Sequence, residues 1–388
     1  MLPAIKSQTA EELKIRFQEW GQPGYRLSQL LDWLYVQRVT DWDAMTNLPR
    51  SLREQLRANY ALYPMALVQK QGAIDTTQKF LWRLADYSLI ESVLIPANPS
   101  LYGEPSDRHT LCVSTQVGCA YGCKFCASGL AGLKRNLGVE EIVEQVLAVE
   151  REEVRRVSSL ECRGEDREQQ GVTFSSPRHP PLDTRLVSNL VIMGMGEPLA
   201  NYDNLIKALT ILNAPWGGRI GARKITISTS GLVPQIRKLA EEPLQFRLAI
   251  SLHGATDEVR NKIMPVNRKY PLRELTAACE DYLEKKGRKI TFEYILIGGV
   301  NDSLEQVKPL ALLARRLNAK VNLIPYNLVE GLPWQRPGEQ EQESFFVALQ
   351  KQKVSVTLRR EKGHDIDAAC GQLRLRTEKE LAEPQTVS

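Results

Sequence analysis

Over the first sixty residues apolar side chains recur at helical spacing in three short runs, AEELKIRFQEW, YRLSQLLDWLYVQR and SLREQLRANY, separated by Gly, Pro and Asn. That pattern predicts a small helical unit. Around residue 79 the period changes, because KFLWRLADYSLIESVLIP is rich in β-branched and aromatic residues about a central turn signal and predicts a pair of strands. From about residue 108 strand-like runs alternate with helix-like ones: HTLCVSTQ, VEEIVEQVLAVERE, SNLVIMG, NYDNLIKALTIL, KITISTS, VPQIRKLA, FRLAISL, PLRELTAACEDYLEKK, ITFEYILI, SLEQVKPLALLARRLN, KVNLIPY and, after a helix near 340–350, VSVTLRR. Six consecutive strand-then-helix units imply an α/β fold with a parallel sheet, preferably a partial, TIM-like (β/α)6 barrel, with a doubly wound open sheet as the alternative. In both, the loops leaving the carboxyl ends of the strands build the site. The expected organisation is a helical N-terminal accessory domain over 1–78, a strand-rich connector over 79–107, a core over 108–376 and a disordered tail over 377–388. A polar, Pro- and Ser-bearing stretch near 154–187 without sustained periodicity reads as a partly mobile loop.

Composition adds exclusions. With 388 residues, 43% hydrophobic and 25% charged, the chain is neither fibrous nor disordered. No run of roughly 18 apolar residues occurs, so no transmembrane helix is expected. The start, MLPAIKSQTAEELK, has no apolar segment that would read as a secretory signal, and a cytoplasmic protein is expected. Seven cysteines in this length are too few for a disulfide scaffold and are better read as thiols or ligands. A net charge of +5 permits nucleic acid as a partner. The positive charge gathers near the end: Lys351, Lys353, Arg359, Arg360, Lys362, Arg374 and Arg376 stand against Glu361, Asp365 and Asp367, a stretch able to hold phosphates.

The strongest chemical signal is GCAYGCKFC, which spaces Cys119, Cys123 and Cys126 as C-x3-C-x2-C directly after the strand HTLCVSTQ. Three thiolates on one loop can hold three irons of a cubane and leave the fourth open to a small molecule; structural zinc would want a fourth Cys or His close by. GMGEP, from Gly194 to Pro198, follows an apolar strand, where glycines let a ligand approach backbone and Glu197 can accept from an ammonium. By itself such a turn is a weak motif. Ser228, Ser251, Leu252, His253 and Asn327 each end a predicted strand, although His253 alone would read as a structural histidine. Cys370 sits in GHDIDAACGQLR, where a lone cysteine beside two alanines is ordinarily packing. Cys112 alternates with Thr110 and Ser114 on one strand face, which disfavours an apolar-core reading. Glu91 projects from a face otherwise made of Leu89, Val93 and Ile95. Desolvation there would raise its carboxyl pKa and suit it to proton transfer, with an edge-strand charge placed for solubility as the competing reading. Cys162 and Cys279 receive no function.

The cysteine loop, with Phe125 before its last Cys, resembles that of the radical S-adenosylmethionine superfamily. LCVSTQVGCAYGCKFC, GLKRNL, VIMGMGEPL, ITISTSGLVP, LAISLHGA, MPVNRKYPL and GHDIDAACGQL resemble segments of the RlmN/Cfr-type RNA adenine methyltransferases, over about residues 85 to 375, and the helical N-terminus is in keeping. The resemblance implies a radical S-adenosylmethionine barrel with a [4Fe-4S] cluster on Cys119, Cys123 and Cys126. It implies S-adenosylmethionine bound by Gly196, Glu197, Ser228, Ser251, Leu252, His253 and Asn327. It further implies that Cys370 carries the transferred methyl, that Cys112 pairs transiently with Cys370 in a disulfide, and that Glu91 accepts a proton. Two S-adenosylmethionine molecules would serve each methylation of an adenine ring carbon, with the RlmN branch pointing to carbon 2 and to 23S ribosomal and transfer RNA. An electron donor such as flavodoxin or ferredoxin and a thiol reductant would be partners, and no membrane. Competing readings are a radical enzyme acting on a small metabolite, which would have no need of Cys112 or Cys370, the carbon-8 branch of the same family, and a non-catalytic metal-binding RNA protein. The 154–187 stretch is longer than the family leads one to expect.

Overall fold

Thr9 starts the chain's first helix: its side chain accepts from the Glu12 amide while the Glu12 carboxylate accepts from the Thr9 amide, a reciprocal cap. Helices α1 (Ala10–Glu19), α2 (Gly24–Tyr35) and α3 (Arg50–Asn59) follow the expected runs and bury Leu13, Phe17, Leu30, Leu34, Leu52 and Leu56 against one another. The computed structural model describes residues 2–73, 76–97, 108–163, 185–359 and 371–382.

Beyond the helices the chain forms one ten-stranded sheet and a separate hairpin. Strands β1 (Ala66–Gly72), β2 (Gln78–Arg83) and β3 (Leu89–Pro96) make an antiparallel meander whose last strand pairs with β4 (His109–Cys112). The hairpin is β5 (Gln116–Gly118) with β6 (Leu133–Asn136). From β4 the sheet runs parallel through β7 (Asn189–Ile192), β8 (Ile225–Thr229), β9 (Arg247–Ser251), β10 (Thr291–Leu296), β11 (Lys320–Pro325) and β12 (Val356–Leu358).

Each parallel step crosses over through helix: α4 (Val139–Arg163), α5 (Tyr202–Asn213), α6 (Val233–Glu241), the pair α7 (Asp257–Ile263) and α8 (Leu272–Lys286), α9 (Val307–Arg316) and α10 (Glu339–Lys351). The strand order is linear, so the sheet opens at β1 and β12, as a partial barrel does. Helix α11 (Gln372–Ala382) packs back on β3.

Four features differ from the sequence reading. Residues 154–163, expected to open a partly mobile loop, continue helix α4 to Arg163. The antiparallel run begins at Ala66, because β1 lies largely exposed and has no apolar alternation to mark it. The run HTLCVSTQ breaks after Cys112, and its end starts the separate hairpin. Residues 377–382, expected in a disordered tail, are helical, because α11 gains its contacts from β2 and β3 through Leu373 on Leu81 and Leu89. Cys370, Arg360, Glu361, Lys362, Asp365, Asp367 and 164–184 lie outside the described residues. Among the described residues no helix is long and apolar enough to cross a membrane.

Candidate active site

The cysteine loop is pinned at its start and its middle. Gly118 has φ +78°, and the Gly132 carbonyl occupies the place a Cβ would take, so only glycine lets the hairpin close there. Farther along, the Lys124 amide donates to the Ile263 carbonyl at 2.8 Å, and Trp334 Nε1 donates to the Lys124 carbonyl at 2.7 Å. So held, Cys119, Cys123 and Cys126 line one cavity of about 330 Å³. Gly194, Gly196 and Glu197 after β7, Ser228 in β8, Ser251 and His253 at the end of β9 and Asn327 after β11 line the same cavity. Ligand sites of open α/β sheets lie at these carboxyl ends.

Gly196 has φ +100°, and a Cβ there would lie 2.5 Å from the Cβ of Gln116. Gln116 in turn accepts from the Glu197 amide at 2.8 Å, which orients the turn. Glu197 is buried; its Oε2 accepts from the Ser230 amide at 2.8 Å and its Oε1 from the Leu199 amide at 3.2 Å. Burial pushes its carboxyl pKa up while those amides pull it down. The Ser228 and Ser251 hydroxyls lie 3.2 Å apart on neighbouring strands.

His253 takes φ 53°, and its Nδ1 accepts from the Ile295 amide at 3.0 Å. A neutral ring that accepts at Nδ1 carries its proton on Nε2. Burial, and then the Arg260 charge, pull its pKa down to about 3, so the ring is neutral at ordinary pH. Its edge meets Phe125 of the cysteine loop, ring centroids 4.9 Å apart.

The donor set fits an iron–sulfur cluster. Burial pushes the Cys119 thiol up to about 11 and that of Cys123 higher still, so iron would have to displace those protons. Among the described residues no three His, Cys, Asp or Glu side chains gather as a single-ion site. A cubane instead takes its three thiolates on three different irons.

Two expected residues lie outside the cavity wall yet close to each other. Glu91 on β3 and Cys112 on β4 share one sheet face, since Val93 pairs with Cys112 and the Ser114 hydroxyl donates to the Glu91 carbonyl at 2.6 Å. Cys112 is buried. Leu252 is also behind the wall; its amide donates to the Glu293 carbonyl at 3.0 Å. Arg374, read from the sequence as a cation for phosphates, is fully buried and cannot serve so.

The structure adds residues the sequence reading missed. Arg260 is fully buried and donates to the carbonyls of Ser230 (2.9 Å), Ser251 (3.2 Å) and Leu252, tying the ends of β8 and β9 together, while Asn267 holds its Nε at 2.9 Å. In sequence it looks like one more helical charge. Glu293 lines the cavity beside Ser251 and accepts from Asn322 at 3.0 Å. Its place in the middle of an apolar strand was the available signal.

A sequence model of the Radical SAM superfamily matches residues 183–309, and one described as the Ribosomal RNA large subunit methyltransferase N-terminal domain matches residues 5–62. The superfamily match begins downstream of Cys126, so the cysteine loop stands on its own geometry. A protein of Opitutus terrae named probable dual-specificity RNA methyltransferase RlmN 3 is 56% identical over 378 residues, 97% of this chain and 96% of its own. A protein of Akkermansia muciniphila named probable dual-specificity RNA methyltransferase RlmN is 51% identical over 379 residues, 98% of this chain and 97% of its own. The crystal structure of a radical SAM methyltransferase from Sphaerobacter thermophilus matches with a TM-score of 0.81 at 42% identity, covering 95% of this chain and 98% of that one.

Proposed function

The chain belongs to the RlmN family of radical S-adenosylmethionine RNA methyltransferases, and from that premise we propose that it methylates carbon 2 of adenosine in 23S ribosomal RNA and transfer RNA. The methyl travels on Cys370, and two S-adenosylmethionine molecules are consumed for each methyl delivered. One observation carries the reading: the three loop thiols share a cavity with strand-end groups suited to a nucleoside-bearing amino acid, and Ser128 in its wall abuts Gly371, the residue after Cys370.

Cys119, Cys123 and Cys126 would hold a [4Fe-4S] cluster. When bound and reduced by a flavodoxin or ferredoxin, the cluster would supply an electron for the reductive cleavage of S-adenosylmethionine. Glu197 receives the cosubstrate ammonium and the Gly196 backbone admits its carboxylate. Ser228, Ser251, Asn327 and the Nε2 proton of His253 supply further polar contacts, and Leu252 backs them. Cys370, as thiolate, takes a methyl from one cosubstrate. Hydrogen removal from that methyl lets its carbon join the adenine ring, an electron-poor carbon that would not attack a sulfonium methyl itself. Glu91 accepts the ring proton. Cys112 then attacks Cys370, the carbon–sulfur bond breaks, the methylene takes a proton, the unpaired electron returns to the oxidised electron carrier, the methylated RNA leaves, and an external thiol reduces the resulting disulfide. The adenine must leave its stack to be reached, which favours a looped or bulged site.

The test is anaerobic reconstitution followed by mass spectrometry of digested RNA. Label from the cosubstrate methyl should reach Cys370 before RNA, and the product should comigrate with 2-methyladenosine. Direct labelling of RNA by Cys370→Ala refutes the carried methyl, and 8-methyladenosine refutes the carbon assignment.

A further inference from the structure

Glu91 is 3% exposed on β3, and both of its oxygens reach the start of α11. Oε2 accepts from the Gly371 amide at 2.8 Å and Oε1 from the Arg374 amide at 2.7 Å. Lys79, 1% exposed on β2, brings its ammonium to 3.0 Å from Oε2. The first amides of a helix have no partner within it, and a carboxylate beside them meets both the orphan donors and the positive end of the helix. Such caps ordinarily come from the residue just before the helix. Here the cap comes from a strand 280 residues away in sequence, so it holds the helix to the body of the protein and does not merely end it.

Two further contacts fix the same point. Gly371 has φ +84°, and a Cβ there would lie 2.8 Å from the Ser128 hydroxyl, so the chain passes tightly over the residue that follows Ala127 in the cavity wall. Leu373 is fully buried on Leu81 and Leu89. Arg374 is fully buried, with Glu378 3.6 Å away. The docked helix is held by these few contacts.

We propose that the buried Lys79–Glu91 pair is the seat of the C-terminal helix and that Lys79, through it, is a positioning residue for the thiol of Cys370. Lys79 keeps Glu91 matched in charge where water is absent, and Glu91 fixes the backbone from which Cys370 departs. Glu91 thus has a task that precedes, and is separable from, accepting a proton. The link to Cys370 rests on the carried-methyl reading above; the seat does not.

Hydrogen exchange of the peptide 371–382 in the full-length chain reads the seat directly. In Lys79→Met that exchange should rise by about tenfold or more, the scale of a lost helix cap with its charged partner. In the same variant, transfer of labelled methyl to Cys370 should slow by about tenfold while iron content and reductive cleavage of S-adenosylmethionine are retained. Lys79→Arg should restore both. If Lys79→Met does not fold, Lys79→Gln, which keeps a donor to Glu91, takes its place. Unchanged exchange over 371–382 on loss of the lysine overturns the seat. Faster exchange in a protein whose Cys370 never accepts methyl, even unsubstituted, upholds the seat and overturns the carried-methyl reading.

Discussion

Gly196 and His253 show how single residues shape the cavity. With φ at +100° and Gln116 where a Cβ would go, Gly196 tolerates no side chain, so Gly196→Ala must displace the turn that carries Glu197. Equilibrium binding of S-adenosylmethionine should weaken by about tenfold or more. His253 has an ordinary value of 6.5 when unfolded and about 3 when folded. Between those values the unfolded chain binds the extra proton, so stability is full above about 6.5 and falls as pH drops toward about 3. In His253→Asn, denaturant titrations across that window should show an acid limb shallower by about one proton; identical limbs would mean that the ring is not buried neutral. At this scale the sequence marked candidate residues but not their partners. Glu91 stood out as an acid in an apolar row, yet nothing along the chain joins it to Lys79 or to the amides of Gly371 and Arg374, and the tertiary cap was invisible. Arg260 was unreadable for a related reason, because its acceptors are backbone carbonyls of distant strand ends.

Helix α4 is the element that joins the N-terminal helices to the sheet. Lys6 pairs with Glu144, Arg38 with Glu150 at 2.6 Å and Lys70 with Glu153 at 2.6 Å, all with buried carboxylates. Removing one member of a buried pair leaves the other uncompensated, so Arg38→Met should cost about 3–5 kcal/mol in denaturant titrations, and adding Glu150→Gln should recover most of it. A cost below about 1 kcal/mol would mark the pair as an ordinary surface contact. Elements with a long apolar period were legible: α1 to α3 and the parallel strands with their crossover helices fell where alternation placed them. Elements that owe their existence to a neighbour were not. Strand β1 is largely exposed, the short β5–β6 hairpin closes at one tight glycine, and α11 takes its cap from β3 and buries its own Leu373 on β2 and β3.

For the whole molecule the size of the cavity constrains the order of events. A volume of about 330 Å³ lies at the lower end of what small-molecule sites enclose, room for one ligand of cosubstrate size. On the function proposed above, two S-adenosylmethionine molecules per methyl would use this site twice in succession, once to charge Cys370 and once to generate the radical. Glu197, the Gly196 turn and the three thiols all line this one cavity. Equilibrium dialysis of the cluster-loaded Cys370→Ala chain, which cannot accept a methyl, should therefore find one S-adenosylmethionine per chain at saturation. Two bound per chain with comparable affinity would show simultaneous occupancy, and the serial order would fall with it.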